Sequence, residues 1–371
     1  MRVAFIAEIL IKEFDGASRT MFQLIERFPS EGMDFRFFCG MAQENLEAVT
    51  LPTLKVPGNE TYRFVVPWGG KLKKELDGFQ PDVIHIATPS LLGNAALKYA
   101  RKKGIPVISI YHTHFISYMD YYLKKAKIFI PLAKWYIRRS YQNFYNHCDL
   151  IYVPSISMIE ELSHLGIQKS RMKLWQRGID LSLFSPEKRN PSLLPQNSKK
   201  TILFSSRLVW EKNLKTLIDL YVLLEKERMP YHLLIAGSGV AEEEAKKAMP
   251  QATFLGHVSH ELLSKYYASS DVFIFPSVTE TFGNVVLEAM ASGLPSVVAR
   301  GGGSKDFIIP GENGYLVEPN DAKEYLFFIK EILSDEELHK KLSVKAVQMA
   351  KSYDWEALAA TYFEDLKSLK P

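Results

Sequence analysis

Short apolar, β-prone runs recur along the chain, each closed by a polar or glycine-bearing loop and followed by a segment of helical spacing. In the first half the strand candidates are Val3–Ala7, Phe35–Cys39, Val83–Ala87, Val107–Tyr111 and Leu150–Val153. The helix candidates are Ser18–Phe28, Leu91–Lys103 and Ser157–Leu165, the last with Ser155 as its N-cap and Gly166 as its stop. The stretch from 184 to 200 is polar and proline-rich and reads as a linker. The pattern then restarts, with strands at Thr201–Ser205, His232–Ala236, Thr253–Leu255, Val272–Phe275, Ser296–Ala299 and Gly314–Val317. Helices fall at Leu214–Lys226, Glu242–Met249, His260–Ala268, Gly283–Ala291 and Ala322–Leu333. A helical tail from about Glu337 to Leu369 is interrupted at Tyr353-Asp354-Trp355. This alternation predicts an α/β protein of two Rossmann-like doubly wound domains facing across a cleft, 1–190 and 191–352, with a C-terminal helix at 353–371.

At 371 residues the chain is too long for one compact core and fits two. Its 47% hydrophobic and 24% charged content is that of a globular protein, and a net charge of +4 is too mild to argue for nucleic acid. Cys39 and Cys148 have no metal-like spacing, so a reducing compartment without disulfides is expected. Met1-Arg2 leads straight into a strand, too short for a signal segment, and no run of about 18 apolar residues occurs. The expectation is a cytoplasmic protein, with contact to a membrane surface left open.

Chemistry concentrates in loops after strands. The stretch Phe275–Met290 reads as the end of a strand, a polar loop and a helix beginning near Gly283. Free N–H groups at such a start, with no side chain on Gly283, form an anion site. Glu280 lies in the loop, and Glu288 lies roughly 7–8 Å up the helix. The two carboxylates then flank a bound phosphate, which suits a ligand with sugar, diphosphate and ribose in a row. The loop Ser205–Asn213 offers Arg207 as a fork of donors and Lys212 as a point charge, both suited to a diphosphate. Ala236-Gly237-Ser238-Gly239 and Gly301-Gly302-Gly303-Ser304 allow close backbone approach. In the first half, Gly16 follows the first strand, and His112 and His114 follow the fourth. The Gly16 loop is not GxGxxG, so dinucleotide binding is poorly supported. The histidines lack a zinc pattern, and no paired-aspartate metal motif is present, so no metal site is expected.

The set Tyr111-His112-Thr113, Ser206–Asn213, Ala236–Gly239, Pro276–Gly283 with Glu288, and Gly301–Gly303 resembles the retaining glycosyltransferases of the GT-B fold, family four. Glu280 and Glu288 match that family's E-x7-E motif. Leu174–Asp180, followed by Phe184-Ser185-Pro186, resembles members that glycosylate lipids, of the sulfoquinovosyl- and mannosyl-diacylglycerol type. The resemblance implies transfer of a hexose from a UDP- or GDP-linked donor to a hydroxyl acceptor, a membrane lipid or another glycan, without metal or cofactor. It implies that Arg207 and Lys212 hold the diphosphate and Glu288 the ribose. Glu280 and the backbone around Phe282-Gly283-Asn284 position donor sugar and phosphate, and His112 and Gly16 meet the sugar from the first domain. Gly237, Gly239, Val258 and Val285 complete the donor-binding set. It also implies that the tail helix crosses back onto the first domain. The first loop departs from the family in carrying one glycine where many members have two.

Phe115–Tyr145 mixes Lys124, Lys125, Lys127, Lys134, Arg138 and Arg139 with Tyr121, Tyr122, Phe129, Trp135, Tyr136 and Tyr141, and Pro131 splits it into two helical pieces. Basic-aromatic amphipathic helices lie on anionic membrane surfaces. The expectation is a monomer or weak dimer, peripherally attached to the inner face of the cell membrane, with no nucleic-acid partner. The readings kept open are a transferase acting on a soluble or polysaccharide acceptor, a nucleotide-sugar epimerase, and a non-catalytic nucleotide-sugar-binding subunit.

Overall fold

The computed structural model describes residues 1–371 other than 13, 15, 30, 57–58, 112–129, 196–198, 229 and 371. It divides into two compact units, Met1–Gln176 with Trp355–Pro371, and Arg177–Asp354.

The first unit runs β1 (Arg2–Ile6), β2 (Ile9–Leu10), α1 (Gly16–Ile25), β3 (Asp34–Cys39), β4 (Met41–Ala42), β5 (Ala48–Thr50), β6 (Thr53–Val56), β7 (Asn59–Val65) and α2 (Lys71–Phe79). It continues with β8 (Val83–Ile86), α3 (Leu91–Lys103), β9 (Val107–Ile110), α4 (Ile130–Tyr145), β10 (Leu150–Val153), α5 (Ile156–His164) and β11 (Met172–Leu174). Seven strands form one sheet in the order β11-β10-β9-β8-β1-β3-β5, with every neighbouring pair parallel. The central strands are buried on both faces, which is why they read as continuous apolar runs rather than alternating ones. Helix α3 carries its own signals. Ser90 Oγ accepts from Gly93 N–H at 3.0 Å, Arg101, Lys102 and Lys103 occupy the last turn, and Gly104 closes it in the left-handed region at φ 69°.

The second unit comprises β12 (Lys200–Ser205), α6 (Leu214–Lys226), β13 (Tyr231–Ala236), α7 (Glu242–Ala248), β14 (Thr253–Gly256), α8 (His260–Ser269), β15 (Val272–Phe275), α9 (Asn284–Ala291), β16 (Ser296–Ala299), β17 (Gly314–Val317), α10 (Ala322–Ser334) and α11 (Glu336–Ala350). Its six strands are ordered β14-β13-β12-β15-β16-β17, again all parallel. Both sheets start at a central strand, grow outward to one side, then cross to the other. The order therefore reverses between β1 and β8 in the first and between β12 and β15 in the second.

The last helix, α12 (Trp355–Leu369), packs within the first unit. Tyr362 OH meets His85 Nδ1 at 2.9 Å, Tyr152 OH donates to Asp365 at 2.5 Å, and Trp175 Nε1 donates to the Leu358 carbonyl at 3.0 Å. Burial pushes the His85 imidazole down to about 3, so the ring is neutral. It stacks on Phe5 with centroids 4.0 Å apart.

The boundary between units lies at Gln176/Arg177, not at 190, and the second at Asp354/Trp355, not at 352. The polar stretch expected to link the domains is part of the second one. Phe184 is buried in that unit's core against Tyr267, and Ile179 N–H donates to the Tyr353 carbonyl at 3.0 Å. The β6–β7 hairpin, the β2–β4 pair and α2 were not anticipated. No helix among the described residues is long and apolar enough to cross a membrane.

Candidate functional site

In an open parallel sheet, ligands bind beyond the carboxyl ends of the strands where the strand order reverses. In the second unit that point lies between the loops leaving β12 and β15, which carry Arg207 with Lys212 and Glu280 with Gly283.

The β12 loop ends in a short 3-10 turn, Trp210–Lys212, which places Lys212 under the opposite loop. Lys212 Nζ forms an ion pair with Glu280 Oε1 at 2.5 Å and donates to Thr279 Oγ1 at 3.3 Å. The lysine side chain is 4% exposed and the glutamate 24%. A cation this far from water needs an anion beside it, and Glu280 supplies one. Thr279 Oγ1 in turn donates to the Glu211 carbonyl at 3.3 Å. Asn213 follows in the left-handed region at φ 56°, and its Nδ2 donates to the carbonyls of Pro319 at 2.7 Å and Pro276 at 3.3 Å. These bonds tie the start of α6 to the ends of β15 and β17. Arg207 is exposed, and its guanidinium has no partner among the described residues.

The β15 loop turns into α9 at Gly283, which adopts φ 97° and has no side-chain cap. Val286 N–H bonds back to the Gly283 carbonyl at 3.0 Å, while the amides of Asn284 and Val285 donate to no described group. That is a helix start with open donors and a positive dipole end. Phe282 contributes only its backbone there. Its ring is buried against Phe307, centroids 4.8 Å apart, and Tyr353 at 6.1 Å, with the Arg177 guanidinium 5.8 Å from it. Glu288, one turn into α9, is buried and accepts from Tyr267 OH at 3.3 Å.

The glycines are explained largely by backbone packing. A Cβ on Gly237 would lie 1.9 Å from the Ser206 carbonyl oxygen, and one on Gly239 2.4 Å from that of Leu208. Leu208 N–H donates to the Ser238 carbonyl and Ala241 N–H to that of Leu208, each at 2.9 Å. The β13 loop is thus the bed on which the Arg207 loop lies. A Cβ on Gly302, at φ 60°, would similarly lie 2.7 Å from the Val278 carbonyl oxygen and 2.9 Å from that of Glu280, and Gly303 N–H donates to the latter carbonyl at 2.7 Å.

The structure therefore brings Lys212, Thr279, Glu280 and Gly283 together on the second sheet's reversal point, with Arg207 in the same β12 loop. Val258 and Val285 are half-buried and pack on the second unit's core. Gly16 is the first residue of α1 in the first unit, and a Cβ there would meet nothing within 4 Å. His112 and His114 lie outside the described residues, as does 115–129. Thr279, Asn213 and Tyr267 were missed in the sequence. Their partners are distant along the chain, so no local pattern singles them out, although Asn213 and Thr279 stand inside the stretches that carry the family resemblance. Among the described residues no group of three or more histidine, cysteine or acidic side chains is gathered as for a metal ion.

Two family models match the chain. The one described as Glycosyltransferase Family 4 covers residues 14–183, and the one described as Glycosyl transferases group 1 covers 185–349. A GDP-mannose-dependent alpha-mannosyltransferase of Corynebacterium glutamicum is 32% identical over 96% of this chain and 86% of that protein. Sulfoquinovosyl transferase SQD2 of Arabidopsis thaliana is 33% identical over 77% of this chain and 56% of that one. An alpha-monoglucosyldiacylglycerol synthase of Streptococcus pneumoniae is 29% identical over 70% of this chain and 60% of that one. Among solved structures, a sucrose-phosphate synthase from Thermosynechococcus elongatus superposes with a TM-score of 0.79 at 21% identity, over 99% of this chain and 98% of that one, a likeness of fold. The two parallel sheets, the loops gathered where the second reverses, and these matches place the chain in the family-four glycosyltransferases of GT-B fold, as a hexosyltransferase that uses a nucleotide sugar.

Proposed function

We propose that the protein transfers a hexose, with retention at the anomeric carbon, from a UDP- or GDP-linked donor to a hydroxyl of a membrane lipid or glycolipid. The observation that carries this reading is the Lys212–Glu280 pair, set beside the unpaired Arg207 and the open amides of α9. As the bond from the anomeric carbon to the phosphate oxygen breaks, its electron pair stays on the departing diphosphate. Arg207, Lys212 and the α9 start aim positive potential at that charge and need little reorganisation to do so. The arriving diphosphate shares Lys212 with Glu280, which frees a carboxylate oxygen to accept from a sugar hydroxyl. The acceptor oxygen then bonds to the same face of the carbon, and its proton passes to the leaving phosphate oxygen. Buried Glu288, steadied by Tyr267, is assigned to the ribose hydroxyls. A thermal-shift screen tests the donor. At 100 times its dissociation constant, the correct nucleotide sugar adds about 2.7 kcal/mol of stability. A flat response to every UDP- and GDP-sugar would remove the reading.

The lipid acceptor is supported by the name of the diacylglycerol-type relative and by α4. That helix is two-sided. Tyr141, Phe144 and Tyr145 enter the first unit's core, while Trp135 and Tyr136 are 62% and 68% exposed beside exposed Arg139. Arg138 is occupied in holding the carbonyls of His164 and Leu165 at the end of α5. The face with Trp135, Tyr136 and Arg139 is suited to an anionic interface. The protein should sediment with phosphatidylglycerol vesicles at low salt and release at high salt, and Trp135→Ala with Arg139→Glu should weaken the association. Absence of sedimentation at low salt would favour a soluble acceptor.

A further inference from the structure

Ser304 lies in the turn after β16 and is fully buried, yet its hydroxyl has no hydrogen-bond partner among the described residues. Its position is specific. The place a Cβ would occupy on Gly283 is 2.2 Å from Ser304 Oγ and 2.9 Å from Ser304 Cβ. The hydroxyl therefore sits directly over the Cα of the residue that opens α9, and only glycine leaves room for it.

The hydroxyl is not needed to hold the turn. Gly303 N–H already bonds to the Glu280 carbonyl at 2.7 Å, and the Phe307 ring packs on Phe282. An apolar side chain of the same size would fill the space without leaving a buried donor unpaired. At the same point the amides of Asn284 and Val285 also lack acceptors, and the dipole of α9 favours negative charge. Two separate segments thus bring unsatisfied donors to the turn at Gly283, the hydroxyl from the β16 turn and the first amides of α9.

We propose that Ser304 is a phosphate-binding residue, its hydroxyl donating to the distal phosphate of the nucleoside diphosphate while the Asn284 and Val285 amides take another oxygen of the same group. This rests on the donor reading given above. The hydroxyl proton turns about the Cβ–Oγ bond and follows the acceptor that arrives. The distal phosphate is the one bonded to the sugar, so the contact acts on the leaving group and leaves the base and ribose untouched.

The test is to titrate the full chain and its Ser304→Ala variant with UDP, UMP, GDP and GMP, reading dissociation constants and the melting temperature without ligand. The expected result is a ligand-free melting temperature that is unchanged or raised. The diphosphate that binds should weaken about tenfold, which corresponds to about 1.4 kcal/mol, while its monophosphate keeps its affinity. Equal weakening of mono- and diphosphate would mean that the hydroxyl only shapes the turn, and an unchanged diphosphate constant would mean that it makes no contact. Either result overturns the assignment and leaves the donor reading standing. Failure of the unsubstituted chain to bind any of the four nucleotides would overturn both.

Discussion

Replacing Arg207 with alanine lowers turnover of the nucleotide sugar by about a hundredfold or more and leaves the melting temperature where it was. The lost turnover and the unchanged melting temperature have separate causes. Arg207 is exposed and unpaired among the described residues, so its removal deprives the folded protein of nothing. Its charge matters only when a diphosphate is present to receive it. Lys212→Ala should cut turnover by at least as much, but with a different signature. Lys212 is buried and paired with Glu280, so its loss strands a carboxylate that is three-quarters covered. Allowing for the screening that the remaining exposure provides, about 1–3 kcal/mol of stability is lost with it. Steady-state kinetics and thermal unfolding on the two variants separate the cases. Near-normal turnover in both would end the assignment of this loop to the diphosphate.

The second large effect belongs to a residue that need touch no ligand. Gly237→Ala places a Cβ 1.9 Å from the Ser206 carbonyl oxygen, at a φ of 128° that side-chain-bearing residues rarely adopt. Neither the β13 strand nor the β12 loop can yield, because both are hydrogen-bonded into the same parallel sheet. Strain and overpacking together should cost about 3–5 kcal/mol, read as a lower urea midpoint, and turnover should fall because the Arg207 loop loses its bed. Gly16→Ala is the contrast, since open space surrounds that position and the alanine stands at a helix start. Its stability should change by less than about 1 kcal/mol. A Gly237→Ala protein as stable as the parent would refute the packing account.

The contrast between these glycines shows where the sequence was readable. Gly237, Gly239 and the Gly301–Gly303 run signalled a close backbone approach, and that approach exists. What comes close is largely another loop of the same sheet, which no local pattern identifies. Buried parallel strands such as β1, β8 and β15 were legible because both faces are covered and the apolar run is unbroken. The hairpin of β6 and β7 was not. Its paired Leu54 and Phe64 face outward, so the apolar residues on the exposed face conceal the alternation a half-buried strand would show. Helix α2 was missed because it has three buried positions, Leu72, Leu76 and Phe79, no acidic first turn, and glycine rather than a polar cap. The E-x7-E spacing marked Glu280 and Glu288 as a pair, yet one belongs to Lys212, 68 residues earlier, and the other to Tyr267. Spacing locates such residues; tertiary packing decides their partners.

The α12 helix bears on the order in which the chain is made. Its Trp355, Tyr362 and Leu366 complete a core with Val3, Tyr152 and Trp175, although some 180 residues of the second unit emerge from the ribosome in between, by the count from Arg177 to Asp354. Domains that finish before their neighbours begin can fold one after another during translation. This first domain is denied that schedule. Its sheet must wait, with a flank of aromatic side chains uncovered, until the second domain has been synthesised and the closing helix arrives.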